Sequence, residues 1–133
     1  MNNIKNTRHA TYMINYHMVW IPKYRRKILV NEIAGKTEEI LHFIAKERGW
    51  DILALEVMPD HVHLFVSAPP KFSPADIVKV FKGWSARCLL KEFPGLGQKT
   101  GRGTLWAPSY YIGTAGTVSS ETIKKYIEEC QDR

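Results

Sequence analysis

Two β-forming runs, Ile52 to Met58 and His61 to Ala68, are separated by only Pro59 and Asp60. A two-residue connection cannot carry a crossover, so the runs must pair as an antiparallel hairpin. In the second run Val62, Leu64 and Val66 alternate with His61 and His63. Successive strand side chains point to opposite faces, so the apolar set takes the core side. The two imidazoles then share the other face, with about 6 to 7 Å between their Cα atoms.

The rest of the chain can be fitted around this hairpin. Tyr12 to Ile21 alternates and is rich in β-formers, which predicts a strand with Ile14, Tyr16, Met18 and Trp20 on one side. A basic turn follows, Pro22-Lys23-Tyr24-Arg25-Arg26-Lys27. Ile33, Thr37, Ile40, Leu41 and Ile44 then recur at helical spacing, and Gly49 ends the run. Beyond the hairpin, Ser73-Pro74-Ala75-Asp76 has the residues of a helix start. Ile77, Val80, Phe81, Trp84 and Cys88 form the expected buried stripe of that helix, which runs to about Glu92. Gly95 to Gly103 reads as a mobile basic loop carrying Lys99 and Arg102, and Leu105 to Ile112 as a fourth strand. After a second glycine-bearing stretch, Gly113 to Gly116, Ser119 or Ser120 caps a last short helix carrying Tyr126.

The order βαββαβα predicts an α+β fold: a four-stranded antiparallel sheet of the ferredoxin-like, RRM-like split βαβ kind. Both long helices lie on one face and the other face is uncovered. With 133 residues, 44% apolar and 24% charged, the chain suits one domain over residues 1–133, with 1–11 expected to be a flexible N-terminus. No apolar run is long enough to span a membrane and no signal peptide is evident, which predicts a soluble cytoplasmic protein. Cys88 and Cys130 lack CxxC spacing, which argues against a disulfide scaffold or zinc knuckle and fits a reducing compartment. Nineteen Lys and Arg against thirteen Asp and Glu leave +6, a balance that favours a polyanionic partner.

Two features carry chemistry. His61 and His63 could share one metal ion, or could be ordinary surface residues of a strand. Tyr126, flanked by Lys124 and Lys125, could be a nucleophile whose phenolate a nearby cation favours, or an amphipathic residue at the edge of a helix. Tyr110 and Tyr111 are rivals for that role, although their place in a strand suits packing better.

Five blocks, in order, carry a resemblance. They are Tyr16-His17-Met18-Val19-Trp20 with Lys23-Tyr24-Arg25, Met58-Pro59-Asp60-His61-Val62-His63-Leu64, Phe81-Lys82-Gly83 with Ser85-Ala86-Arg87, Leu105-Trp106 with Pro108-Ser109-Tyr110, and Lys125-Tyr126-Ile127-Glu128. Together they resemble the single-tyrosine HUH transposases (TnpA type) of small bacterial and archaeal insertion sequences, over about Tyr12 to Arg133. The resemblance implies an enzyme that cleaves and rejoins single-stranded DNA at insertion-sequence ends. It further implies that His61 and His63 hold Mg²⁺ or Mn²⁺, that Tyr126 forms a 5′-phosphotyrosine link, and that a homodimer shares its active sites between subunits. Single-stranded DNA with hairpin ends is the implied partner.

One position departs from the family pattern. The family has a glutamine four residues after the tyrosine as third metal ligand, whereas here Cys130 stands there and Gln131 comes one later. A thiolate is a soft donor that Mg²⁺ does not select. Gln131, reached by fraying of the helix end, is the expected ligand, with Glu129 as the alternative.

Lys23, Arg25, Arg26 and Lys27 of the basic turn, Lys79, Lys82, Arg87 and Lys91 of the second helix, and Lys99 and Arg102 are the candidate DNA contacts. Trp106, Tyr110 and Tyr111 could stack on bases, although core or interface is the commoner place for strand aromatics. His17 and Glu56 fall at strand positions from which either could approach a metal, and neither is assigned to it. The competing readings are a domesticated relative or a replication-initiator HUH endonuclease, and, in another class, a nonenzymatic single-stranded nucleic-acid-binding module.

Overall fold

A computed structural model describes residues 4–6, 11–12, 14–101, 104–114 and 120–129, for residues 11 and 120–124 the backbone alone. Strands β1 (Lys5–Asn6) and β2 (Thr11–Tyr12) pair with each other, and Lys5 Nζ reaches Asp51 Oδ2 at 2.5 Å. These contacts tie down part of the segment expected to be flexible. Strand β3 spans Asn15–Trp20, and a 3-10 turn over Lys23–Arg25 leads to helix α1, Asn31–Arg48. Strands β4 (Asp51–Met58) and β5 (His61–Ser67) form the expected hairpin. Helix α2 covers Pro74–Glu92, α3 Leu96–Thr100, β6 Tyr111–Gly113 and α4 Ser120–Glu129. The main sheet is antiparallel throughout in the order β4-β5-β3-β6, the split βαβ arrangement.

The core lies between the sheet and the two long helices. Met18 and Trp20 of β3 and Val62, Leu64 and Val66 of β5 meet Leu41 and Ile44 of α1 and Ile77, Val78 and Phe81 of α2, all fully buried. Local chemistry sets the helix limits. Gly49 closes α1 with φ 75°, a left-handed conformation that glycine adopts without penalty. The Asp76 N–H donates to Ser73 Oγ at 3.1 Å, which caps α2.

The observed elements differ from the expected ones in five places. The first strand is interrupted: Thr11–Tyr12 belongs to the small pair and β3 begins only at Asn15. The buried stripe of α2 is rotated to Ile77, Val78, Phe81, Ser85 and Leu89, leaving Val80, Trp84 and Cys88 at its edge. Ser85 is buried because its Oγ accepts from Trp106 Nε1 at 3.0 Å. The basic loop contains a helical turn, α3, whose buried Leu96 and Thr100 hold it to the core, with Thr100 Oγ1 donating to the Leu96 carbonyl. Arg102 and Gly103 lie outside the described residues.

The fourth difference concerns the last strand, which shrinks from 105–112 to Tyr111–Gly113. Trp106 makes only an isolated bridge to Pro22, Pro108 has no N–H to give a ladder, and Lys82 takes the carbonyls of Ala107 and Ser109. The fifth concerns the uncovered face, part of which α4 covers. Ile127 and the partly buried Tyr126 pack on Ile21 and Ala107 in a cluster separate from the main core. Of the second glycine-bearing stretch, residues 115–119 lie outside the described part. Among the described residues no helix is long and apolar enough to cross a membrane.

Candidate active site

The pleat of β5 buries Val62, Leu64 and Val66 completely and turns His61, His63 and Phe65 to the opposite face. Cross-strand partners complete a row there, because His63 stands between Glu56 of β4 and Val19 of β3, and Val19 in turn pairs with Tyr111 of β6. The ladder of β3 and β5 reaches Trp20 and Val62. One step further would set Ile21, the seat of Tyr126, beside His61.

Each imidazole has a fixed partner. His61 Nδ1 lies 2.9 Å from Asp60 Oδ1. A carboxylate only accepts, so Nδ1 carries the proton and the Nε2 lone pair remains for a ligand, the orientation that metal-binding histidines ordinarily receive from an outer carboxylate. His63 Nε2 lies 3.1 Å from His17 Nδ1, and its Nδ1 lies 3.9 Å from Glu56 Oε1. His17 is itself stacked on Phe65, with ring centroids 4.1 Å apart. Burial, and then the neighbouring His17, lower the His63 pKa from its ordinary value against a smaller opposing pull from Glu56. These groups border a shallow cavity of about 240 Å³ lined by His17, Ala54, Leu55, Glu56, His63 and Phe65.

The donor chemistry of the two imidazoles suits a divalent ion, since both can present a neutral nitrogen. Among the described residues no three His, Cys, Asp or Glu side chains group as a metal site. Cys130 and Gln131 lie outside the described residues, and Glu129 is exposed on α4.

Tyr126 is held within its own chain. Its hydroxyl lies 3.3 Å from Ser109 Oγ, and its ring centroid lies 6.4 Å from that of Tyr111. Tyr111 in turn lies close over Gly113, where an added Cβ would fall 2.8 Å from the Tyr111 hydroxyl.

The basic candidates separate into distinct groups. Arg26 and Lys27 are exposed, Lys23 and Arg25 partly so, and Lys23 Nζ lies 5.4 Å from the Tyr24 ring centre. Tyr24 and Arg25 are consecutive non-glycine residues at φ 60° and 51°, a left-handed conformation with a steric cost. Arg87 is exposed and lines a cleft of about 210 Å³ with Arg48, Lys79, Val80, Gly83 and Trp84. Lys91 and Lys99 are exposed. Lys82 departs from expectation: rather than facing a phosphate it donates to the Ala107 and Ser109 carbonyls at 2.7 and 3.1 Å. Trp106 is core, not a stacking platform, while Tyr110 is exposed and Tyr111 partly buried. Sequence reasoning did not single out Asp60 or Ser109, and it left His17 unassigned. For Asp60 the signal was present in its place beside His61 in the turn.

The fold is one found in solved transposase structures. Residues 10–130 match the sequence profile of the IS200-like transposases, and the chain belongs to that family. It is 42% identical over 130 residues to the ISDra2 transposase TnpA of Deinococcus radiodurans, covering 98% of this chain and 93% of that protein. It is 30% identical over 128 residues to the transposase for insertion sequence element IS200 of Salmonella typhimurium, covering 96% and 84%. Among solved structures, that of a protein described as a transposase from Deinococcus radiodurans R1 is 44% identical and superposes with a TM-score of 0.83, over 94% of this chain and 96% of that one. A REP-associated tyrosine transposase bound to a REP hairpin shares the fold at 16% identity and a TM-score of 0.55, over 95% of this chain and 67% of that one.

Proposed function

We propose that this transposase cleaves and rejoins single-stranded DNA at insertion-sequence ends, with Tyr126 as the nucleophile. One observation supports the reading above the others: Tyr126 packs against the ring of Tyr111, which the ladder places on the same sheet face as His63. The Tyr126 oxygen attacks the scissile phosphorus and loses its proton as the O–P bond forms. The 3′-oxygen leaves and takes up a proton, which yields a 5′-phosphotyrosine ester and a free 3′-hydroxyl. The ester keeps the energy of the broken bond, so a 3′-hydroxyl can reverse the step without ATP. His61 and His63 would hold Mg²⁺ or Mn²⁺, with Gln131 as third ligand and Glu129 as the alternative; when bound, the ion polarises the scissile phosphate. Asp60 orients His61, and Arg25, Arg26, Lys27, Arg87 and Lys99 supply phosphate contacts along the strand.

The partner proposed is DNA with hairpin ends. The relatives at 30% identity or more are insertion-sequence transposases, which supports a mobile element over a domesticated gene. Incubated with Mn²⁺, the protein is expected to form a covalent adduct with a labelled single-stranded oligonucleotide carrying a hairpin, and none with the same sequence as a full duplex. Equal yields on both would overturn the single-strand reading.

The active unit proposed is a homodimer in which Tyr126 of one chain serves His61 and His63 of the other. Mixing the inactive Tyr126→Phe and His63→Ala proteins is then expected to restore cleavage at one of the two sites in each mixed dimer. Failure to complement after confirmed subunit exchange would mean that each site is built within one chain.

A further inference from the structure

We propose that Lys82 and Ser109 form a latch that sets the position of the Tyr126 hydroxyl, with Lys82 as a positioning residue and Ser109 as the hydrogen-bond partner of the attacking oxygen. The inference rests on the reading of Tyr126 as nucleophile. It starts from the path of the chain between Ala107 and Tyr111. Ala107 still bonds like a strand residue, its N–H donating to the Ile21 carbonyl at 2.9 Å. Pro108 then has no N–H, and the ladder resumes only at Tyr111. The carbonyls of Ala107 and Ser109, lost to the sheet, would be short of donors.

Lys82 supplies those donors from α2, with one amine on both oxygens and its Nζ 5.7 Å from the centre of the Tyr110 ring. Held this way, the segment presents Ser109 Oγ to the Tyr126 oxygen at 3.3 Å, while Ala107 forms part of the apolar seat under Tyr126 and Ile127. A lysine in this place is costly, for burial lowers its pKa to about 8. A methionine would fill the same space without that cost, so it is the donors that give the lysine its use.

The test is single-turnover adduct formation on a hairpin-bearing oligonucleotide with Mn²⁺, measured across oligonucleotide concentration. Lys82→Met is expected to lower the saturating rate at least about tenfold, for two lost hydrogen bonds, and Ser109→Ala about threefold to tenfold, for one. The half-saturating concentration should stay the same in both, and Ser109→Thr, which keeps the hydroxyl, should remain near wild type. The double variant should be no slower than Lys82→Met alone, because both act through one route. Wild-type rates in Lys82→Met and Ser109→Ala, or losses that multiply in the double variant, overturn the latch. Should Lys82→Met fail to fold, the Ser109→Ala and Ser109→Thr pair decides the matter alone. An adduct that survives in Tyr126→Phe defeats the nucleophile assignment itself; an adduct lost there, with latch variants at wild-type rate, defeats only the latch.

Discussion

Tyr126→Phe is expected to abolish the covalent protein–DNA adduct, with no product above background on a denaturing gel, and to leave hairpin binding within about twofold of wild type. The substitution removes one oxygen and no charge. The ring's packing on Ile21, Ala107 and Ile127 does not need the hydroxyl, so α4 keeps its apolar seat. What is lost is the atom that bonds to phosphorus and its hydrogen bond with Ser109, worth only about 0.5–1.5 kcal/mol to stability. An adduct of undiminished yield would move the nucleophile to Tyr110 or Tyr111. Of these, Tyr111 is the stronger rival, because it stands on the histidine face one pair beyond Val19.

His61→Ala and His63→Ala are each expected to eliminate cleavage and to weaken Mn²⁺ binding by more than the tenfold to hundredfold typical of losing an outer-shell partner. Neither should unfold the protein, since the core at this strand is made by Val62, Leu64 and Val66 on the other face. Calorimetric Mn²⁺ titration reads binding apart from activity, and a titration indifferent to both changes would remove the metal from the site. The same measurement on Gln131→Ala, Glu129→Ala and Cys130→Ala identifies the third ligand. The expected result is a raised Mn²⁺ requirement in Gln131→Ala alone; if it appears in Glu129→Ala instead, the carboxylate takes the role.

Local chemistry made some of the architecture legible. Two residues between β4 and β5 left no topology but a hairpin, and the parity of His61 and His63 against Val62 and Leu64 placed both imidazoles away from the helices. Ser73 and Gly49 marked helix limits because capping needs only neighbouring backbone. Less legible was whatever depends on contacts distant in sequence. Lys82 reads as one more cation on a basic helix until the carbonyls 25 and 27 residues away arrive over it. Those same bonds, with Pro108, shorten the last strand, although Leu105 to Ile112 has the aromatic content of a longer one. Ser85 lies outside the apolar stripe read from the sequence, and its burial follows from Trp106, 21 residues on, donating to its oxygen. His17 meets His63 from 46 positions away, and the β3–β5 register that brings them together follows from packing that no local window contains.

The small seat of α4 has an energetic consequence. Burial of one isoleucine side chain is worth about 1.5–3 kcal/mol. If Ile127 supplies most of the holding, lifting this helix end from Ile21 and Ala107 costs roughly a tenfold to hundredfold bias in population, far less than unfolding the domain. An element held by such a seat alone would exchange between equivalent seats at little cost, and in the proposed homodimer a second copy of the chain would offer an identical seat of Ile21 and Ala107. In that proposed dimer the carrier of Tyr126 would be the part of the molecule whose bound and released forms a DNA end or a partner subunit could tip with a single favourable contact.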